Sequence, residues 1–421
     1  MLTRLGYRTL LLAALGGALE FYDFIIFVFF AVVIGQLFFP PETPDWLRQV
    51  QTFSIFAVGY LARPLGGMVM AHFGDLLGRK RMFMLSIFLM SLPTLAIGLL
   101  PTYAAIGIWA PLLLLVLRVL QGAAIGGEVP GAWVFVAEHV QPRHVGFACG
   151  TLTAGLTGGI LLGSLVATAV NKVYLPAEML TEGWRVPFIL GGLFGLLSVW
   201  LRQWLQETPV FREMHAAQKL ADEMPLKKVV REHRIAVLLV MLMTWLLSAA
   251  IVVMILMTPT LVQKLYAISP ANALEASSIA TLFLSIGCMV SGALADRFGP
   301  GPVLALGCFA LGGVSLLFYQ QMPAIPQRIN ELYALCGFFV GVIGVVPGVA
   351  VHAFPAEVRF SGLSFSYNVA YAVCGGLTPV VVSLLLVQDP LAPAHYVAAI
   401  CLLGVLVGVY LWRRDRVGGQ A

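Results

Sequence analysis

About a dozen apolar runs of 18 or more residues follow one another along this chain, and they constrain its fold more than any other feature. A run of that length can cross the ~30 Å hydrocarbon layer of a bilayer as a helix. Inside lipid every backbone group must be satisfied by the protein, and a helix does so within its own segment. Composition agrees: 60% of residues are hydrophobic and only 11% charged, whereas soluble domains carry roughly a quarter. The sequence therefore describes an all-α membrane protein of twelve transmembrane helices. The first five spans fall at about 10–38, 50–73, 82–100, 109–137 and 147–170, and a sixth ends near 206. The others fall at about 234–262, 275–295, 302–319, 331–352, 361–387 and 394–412.

The net charge of +5 is a matter of topology, not of nucleic acid. With the N-terminus inside, loops on that side hold 17 Lys and Arg residues and the opposite loops hold four, Arg48, Lys172, Lys264 and Arg328. This bias places both termini in the cytoplasm of a bacterial-type inner membrane. No signal-peptidase site follows the first span, so that span should be retained. Six cysteines stand singly in apolar runs, with no Cys-x-x-Cys, and suggest neither disulfides nor a metal site. There is no Gly-x-x-x-x-Gly-Lys-Ser/Thr cradle for a nucleotide. No nucleophile–base pair suggests an enzyme, and no cofactor is expected. The expected partners are the bilayer, a small molecule and protons, and the expected state is a monomer.

A turn at the end of span 2, Asp75-Leu-Leu-Gly78-Arg79-Lys80-Arg81, returns 221 residues later as Asp296-Arg297-Phe-Gly299. A second inside turn, Ala137-Glu138 … Arg143, returns as Ala356-Glu357 … Arg359, with 219 residues between the glutamates. Two echoes at about half the chain length indicate a duplicated bundle, an arrangement that transporters use. The expected division is 1–206 for the first six-helix bundle, 207–233 for a cytoplasmic linker with amphipathic helices, and 234–421 for the second bundle. Function should sit between the halves.

Five ionisable residues lie within spans, all in the first half: Glu20, Asp23, Arg63, Arg118 and Glu128. Each costs at least about 2.5–3.5 kcal/mol to insert mid-membrane, and structural use alone gives no reason for the asymmetry. Glu20 and Asp23 are three apart and share a helix face, where two carboxylates resist ionising together. They are candidate proton carriers, with Glu128 a possible second station or a counter-ion to Arg63. Arg118 stands at a depth Asp23 could reach, so that protonating Asp23 would release Arg118 to another anion. A static ion pair joining spans 1 and 4 is the alternative. The guanidinium of Arg63 needs an anion, either a neighbouring acid or a substrate carboxylate. Further substrate candidates are Tyr22, Gln121, Trp245 and the polar edge Tyr367, Asn368 and Tyr371 of span 11. For gating, Gly78 allows the bend and Asp75 can cap the next helix, while Arg79, Lys80, Arg143, Arg297 and Arg359 anchor the inside face. Asp75 with Glu138, and Asp296 with Glu357, are expected to contribute latches there.

Over its whole length the chain resembles the major facilitator superfamily, through Asp75-x-x-Gly-Arg-Lys, its echo Gly292-Ala-Leu-Ala-Asp296-Arg-Phe-Gly, and Arg118-x-x-Gln-Gly. More narrowly it resembles the metabolite:proton symporters, through Leu19-Glu-Phe-Tyr-Asp23-Phe, Ala62-Arg-Pro-Leu-Gly-Gly67, Gly126-Gly-Glu128, Trp184-Arg-Val-Pro-Phe and Glu207-Thr-Pro. The resemblance implies two six-helix halves in alternating access, proton symport of small polar metabolites, and a coupling role for Arg118 and Asp23. Two positions depart from the pattern: Ala71 replaces a usual glycine, and Val129-Pro130 follows Glu128 where an aromatic and a glycine are usual.

The leading reading is proton-coupled import of a small carboxylated metabolite, since two mid-membrane arginines favour an anion. Alternatives are a zwitterionic osmolyte symporter or an exporter of a small organic anion. The short C-terminal tail lacks the coiled coil of osmosensing members, and residues 150–163 lack the proline of the antiporter signature.

Overall fold

A computed structural model describes residues 4–202, 210, 213 and 225–418. Among the described residues there is no strand. Ten helices are long and apolar enough to cross a bilayer, and Pro176–Gly183 with Arg185–Trp200, bent by 40°, form an eleventh such unit. The 33-residue helix Asp45–Leu77 completes twelve.

The spans keep the expected order, with longer ends and several breaks. Span 1 is Arg4–Phe29 followed by Ala31–Phe38, broken at Phe30 where φ is −107° and ψ is 12°. Spans 2 to 6 are Asp45–Leu77, Arg79–Leu99, Trp109–His139, Val145–Val173 and Arg185–Arg202. Of the linker, the helix Pro225–Glu232 is described, and most of 207–224 lies outside the described residues. Span 7 runs Arg234–Ile251, a π-helical turn Val252–Met257, then Thr258–Tyr266. Spans 8 and 9 are Pro270–Phe298 and Pro300–Gln321. Span 10 is Ile329–Val340, a 3-10 stretch Gly341–Val345, then Val346–His352. Span 11 is Arg359–Ala370, a π-helical turn Tyr371–Gly375, then Gly376–Leu386, and span 12 is Ala392–Gly418.

The three interruptions in spans 7, 10 and 11 sit just before Pro259, Pro347 and Pro379. A proline lacks the N–H that would bond the carbonyl four residues earlier, so the helix must widen or tighten there. Gly78 and Gly299, at φ +114° and +86°, make the matching turns that end spans 2 and 8. Only glycine reaches those angles without a steric penalty.

Packing reproduces the repeat. In the first half span 1 packs on 5, span 2 on 4 and span 3 on 6; in the second, span 7 packs on 11, span 8 on 10 and span 9 on 12. Between halves, span 5 lies along span 8 and span 2 along span 11. Spans 2 and 4 approach backbone to backbone: a Cβ at Gly122 would stand 1.9 Å from Gly59 O, and one at Gly126 2.2 Å from Arg63 O. Gly122-x-x-x-Gly126 is thus a small-residue interface of the membrane type, and it brings Arg63 and Arg118 onto neighbouring helices. The sequence ladder Gly155, Gly159, Gly163 does the same for span 5, with Gly155 and Gly159 against Ala14 and Ala18 of span 1.

Candidate functional site

Spans 2, 4 and 11 converge at mid-depth around Arg63, which is 2% exposed. Its guanidinium carbon lies 4.5 Å from the ring centroid of Tyr371, 5.4 Å from that of Tyr60 and 5.8 Å from that of Tyr367. Tyr60 precedes Arg63 by about one turn on span 2, while Tyr367 and Tyr371 are four apart on span 11 and share a face. Trp133 of span 4 backs Tyr367 edge-on, with centroids 5.1 Å apart. The expected substrate candidates Tyr367 and Tyr371 therefore do face an arginine of the other half.

Arg118, fully buried, lies with its guanidinium carbon 4.3 Å from the Phe27 ring centroid of span 1. It donates to Gln121 Oε1 at 2.8 Å, and Gln121 Nε2 donates to Thr94 Oγ1 at 2.7 Å. Asp23 lies beside Thr94, both side chains being within 3 Å of where a Cβ on Gly191 would stand. Its carboxylate is seated against span 6, where a Cβ on Gly191 would come within 2.5 Å of Oδ1 and one on Gly195 within 3.1 Å of Oδ2. The Thr94 hydroxyl spends its proton on Met90 O. In place of the direct Asp23–Arg118 pair anticipated from depth alone, Thr94 and Gln121 stand between the carboxylate and the guanidinium. Span direction explains the difference, because the face of span 1 that carries Tyr22 and Asp23 packs on span 6. Tyr22 accordingly donates to Pro187 O at 2.9 Å and meets the Phe194 ring, away from the arginines.

Glu128 accepts from Ser86 of span 3 at 2.6 Å. Glu20 lies on span 1, but its side chain falls outside the described residues, as does that of Arg79. Trp245 turns to the last span and donates to Tyr396 Oη at 3.1 Å.

Asn368 is fully buried and donates through Nδ2 to Gly126 O of span 4 at 2.7 Å and to Ser364 O at 2.8 Å. Pro130, one of the two departures in the sequence, explains this. Span 4 runs unbroken through Pro130, which cannot donate to Gly126, four residues earlier. The freed carbonyl is satisfied by an amide from the opposite half.

At the face of the bundle that carries the termini, the halves are tied by charged groups. Asp75 Oδ2 accepts from the Ser361 amide at 2.9 Å and from its hydroxyl at 2.8 Å, at the start of span 11. In the repeat-related place, Asp296 accepts from the Gly146 and Phe147 amides at 2.7 and 2.8 Å, at the start of span 5. Glu138 pairs with Arg359 at 2.8 Å, and Glu357 with Lys228 of the linker helix at 2.8 Å. The residues expected to gate thus meet with partners other than the expected ones. Two acids repel, and each finds a helix N-terminus or a cation across the interface. Arg143 bonds Gln141 and stays exposed, Arg297 stacks on Phe298, and Lys80 is half-buried on span 3.

Tyr60, Trp133, Phe27, Thr94, Ser86 and Ser361 are not among the residues the sequence singles out. Tyr60 carried a signal, a ring one helical turn from a mid-span arginine; the others are ordinary apolar or hydroxyl positions until the spans are packed. Among the described residues, no three His, Cys, Asp or Glu side chains converge as metal ligands.

Known proteins share this organisation. The Glycine betaine/proline/ectoine/pipecolic acid transporter OusA of Dickeya dadantii (strain 3937) is 32% identical over 422 residues, covering 95% of this chain and 82% of OusA. The Proline/betaine transporter of Escherichia coli (strain K12) is 31% identical over 420 residues, covering 94% and 81%. Among solved structures, the proton:xylose symporter XylE bound to 6-bromo-6-deoxy-D-glucose superposes with a TM-score of 0.80 at 17% identity, over 97% of this chain and 95% of XylE. The human organic anion transporter MFSD10 (TETRAN) superposes at 0.71 and 15% identity, over 96% and 99%. The Major Facilitator Superfamily profile matches residues 13–379. With that match, and relatives this similar over nearly the whole chain, the protein belongs to the major facilitator superfamily and is a multi-pass membrane transporter.

Proposed function

We propose that the protein imports small zwitterions of the betaine and proline type together with protons. The expectation of a carboxylated metabolite becomes the second reading, because the similar transporters are named for betaine and proline. The tyrosines around Arg63 support the change, since ring faces suit an ammonium group. Two buried arginines keep a small carboxylate in play as the alternative solute.

The observation that carries proton coupling is Asp23, a carboxyl group fully buried within the spans. An ionised carboxylate is costly in such a place and a protonated one is tolerated. A proton therefore loads Asp23 before the site closes. Its loss on the other side leaves a negative charge near the Thr94–Gln121–Arg118 relay, drawing Arg118 from the solute carboxylate and releasing the solute. The ties at Asp75, Glu138, Asp296 and Arg359 close the cytoplasmic side and must break for that release. The membrane is the inner one, with both termini cytoplasmic, and one chain supplies every group invoked.

A zwitterion moving with a proton carries net positive charge, whereas a monocarboxylate moving with one proton carries none. Each charge gains about 2.3 kcal/mol per 100 mV, equivalent to roughly 50-fold accumulation. Proteoliposomes given a potassium–valinomycin potential, negative inside, should therefore accumulate labelled glycine betaine or proline without a pH gradient. Uptake of citrate or shikimate, with neither zwitterion transported, would reverse the order of the two readings. Zwitterion uptake indifferent to both potential and pH gradient would remove the proton.

A further inference from the structure

We infer that Tyr60, Tyr367 and Tyr371 form a cage for the quaternary ammonium end of the solute, and that the Arg63 guanidinium occupies it here as an internal stand-in. The inference rests on the zwitterion reading and deepens it by assigning the cationic end to named rings. The three ring centroids lie between 4.5 and 5.8 Å from the guanidinium carbon, within the range where a cation is attracted by ring faces. The Tyr60 and Tyr371 rings are parallel to within 6° with centroids 5.9 Å apart, and Tyr367 meets Tyr371 at 51° and 5.4 Å. Trp133 braces Tyr367 from behind. All three tyrosines lie within the membrane-spanning helices and the Tyr367 and Tyr371 rings are buried, so water offers little competition for the bound charge.

A trimethylammonium group has no hydrogen-bond donor and asks only for apolar, electron-rich surface. A guanidinium has five donors and is equally at home on a carboxylate. In the exchange the solute's cation takes the rings, and Arg63 gives up its bonds to the Tyr367 and Tyr371 hydroxyls for the carboxylate on the adjoining methylene. The cage also spans the interface, since Tyr60 belongs to the first half and Tyr367 and Tyr371 to the second. A cation held there draws spans 2 and 11 together. Tyr371 opens the π-helical turn of span 11, and such turns let a helix re-aim a side chain at a functional site.

The test uses tetramethylammonium, a cation without a carboxylate, and the full chain in detergent and in proteoliposomes. In the unaltered protein, tetramethylammonium should raise the melting temperature and inhibit glycine betaine uptake competitively. Tyr371→Phe, which keeps the ring and gives up the hydroxyl, should retain the thermal response to tetramethylammonium and raise the betaine KM less than Tyr371→Leu does. Tyr371→Leu should raise that KM about tenfold or more and abolish the thermal response to tetramethylammonium. Equal behaviour of the Phe and Leu variants, or no thermal response in the unaltered protein, overturns the cage. The thermal arm separates the two levels of inference. A chain that moves neither betaine nor proline has lost the transport reading, and the ring-dependent response still decides the cage. If Tyr371→Leu is poorly folded, Tyr367→Leu against Tyr367→Phe supplies the same contrast.

Discussion

The two halves of this transporter agree at one end and disagree in the middle. At the face carrying the termini, Asp75 and Asp296 stand 221 residues apart and do the same thing, each capping a helix of the other half. At mid-depth the correspondence fails. The residues 221 positions after Asp23, Arg63 and Arg118 are Thr244, Leu284 and Phe339. The first half thus holds the charge, and the second offers rings, hydroxyls and an amide. The proposed rocking of two bundles would need ties that work alike on both sides, and symmetric capping would supply them. Binding an asymmetric solute with a proton needs unlike walls.

The largest effect expected from this contrast is at the charged wall. Arg118→Ala should lower zwitterion uptake about 100-fold or more, as expected when a buried partner of a carboxylate is removed. Asp23→Asn should abolish accumulation against a gradient and spare counterflow of labelled solute, since exchange needs no net proton movement. Preserved accumulation in either variant would show that the charge asymmetry is not the machinery of coupling.

A smaller effect is expected where the halves agree. The Glu138–Arg359 pair has side chains 1% and 17% exposed, so Glu138→Gln should favour opening of the termini face by about tenfold. Alkylation of a Val349→Cys reporter in the cavity of about 280 Å³ at that face would measure the change. No change in labelling would mean that this tie does not hold the face shut.

The hydrogen bond from Asn368 to Gly126 sharpens the comparison further, because one half mends a defect in the other. Asn368→Ala should cost about 1–2 kcal/mol of stability by leaving that carbonyl only the long 3.4 Å bond from the Ser364 hydroxyl. In a Pro130→Ala background, where the restored backbone N–H can donate to Gly126, the same change should cost about half as much or less. Thermal denaturation of the four proteins in that cycle gives the coupling, and additive costs would sever the two residues. The smallest effect belongs to Trp245→Phe. It loses only the bond to Tyr396, and uptake should stay within about twofold; a large loss would place Trp245 on the solute path.

Much of this was legible before any folding. The spans follow from apolar length, the duplication from two echoed turns, and Arg63 and Arg118 stand out because charge in lipid demands a reason. The partners were harder to read. Asp23 and Arg118 were matched by depth, which ignores rotation of a helix about its axis, and rotation sends Asp23 toward span 6. The tie partners were drawn within each half, although Asp75 and Glu138 both reach span 11 across the interface. Pro130 was visible as a departure, but its consequence was not, since the residue it recruits is Asn368, 238 positions later.

By itself the sequence determined which segments cross the bilayer, that they come as two related sets, and which buried groups carry charge. These are one-dimensional properties: the length of an apolar run, the recurrence of a turn, the cost of an ion in lipid. Only the tertiary structure decided that Arg63 lies among three tyrosines drawn from both halves, and that Thr94 and Gln121 stand between Asp23 and Arg118. Those facts depend on helix rotation and on backbones touching at Gly122 and Gly126, distances that no single segment encodes.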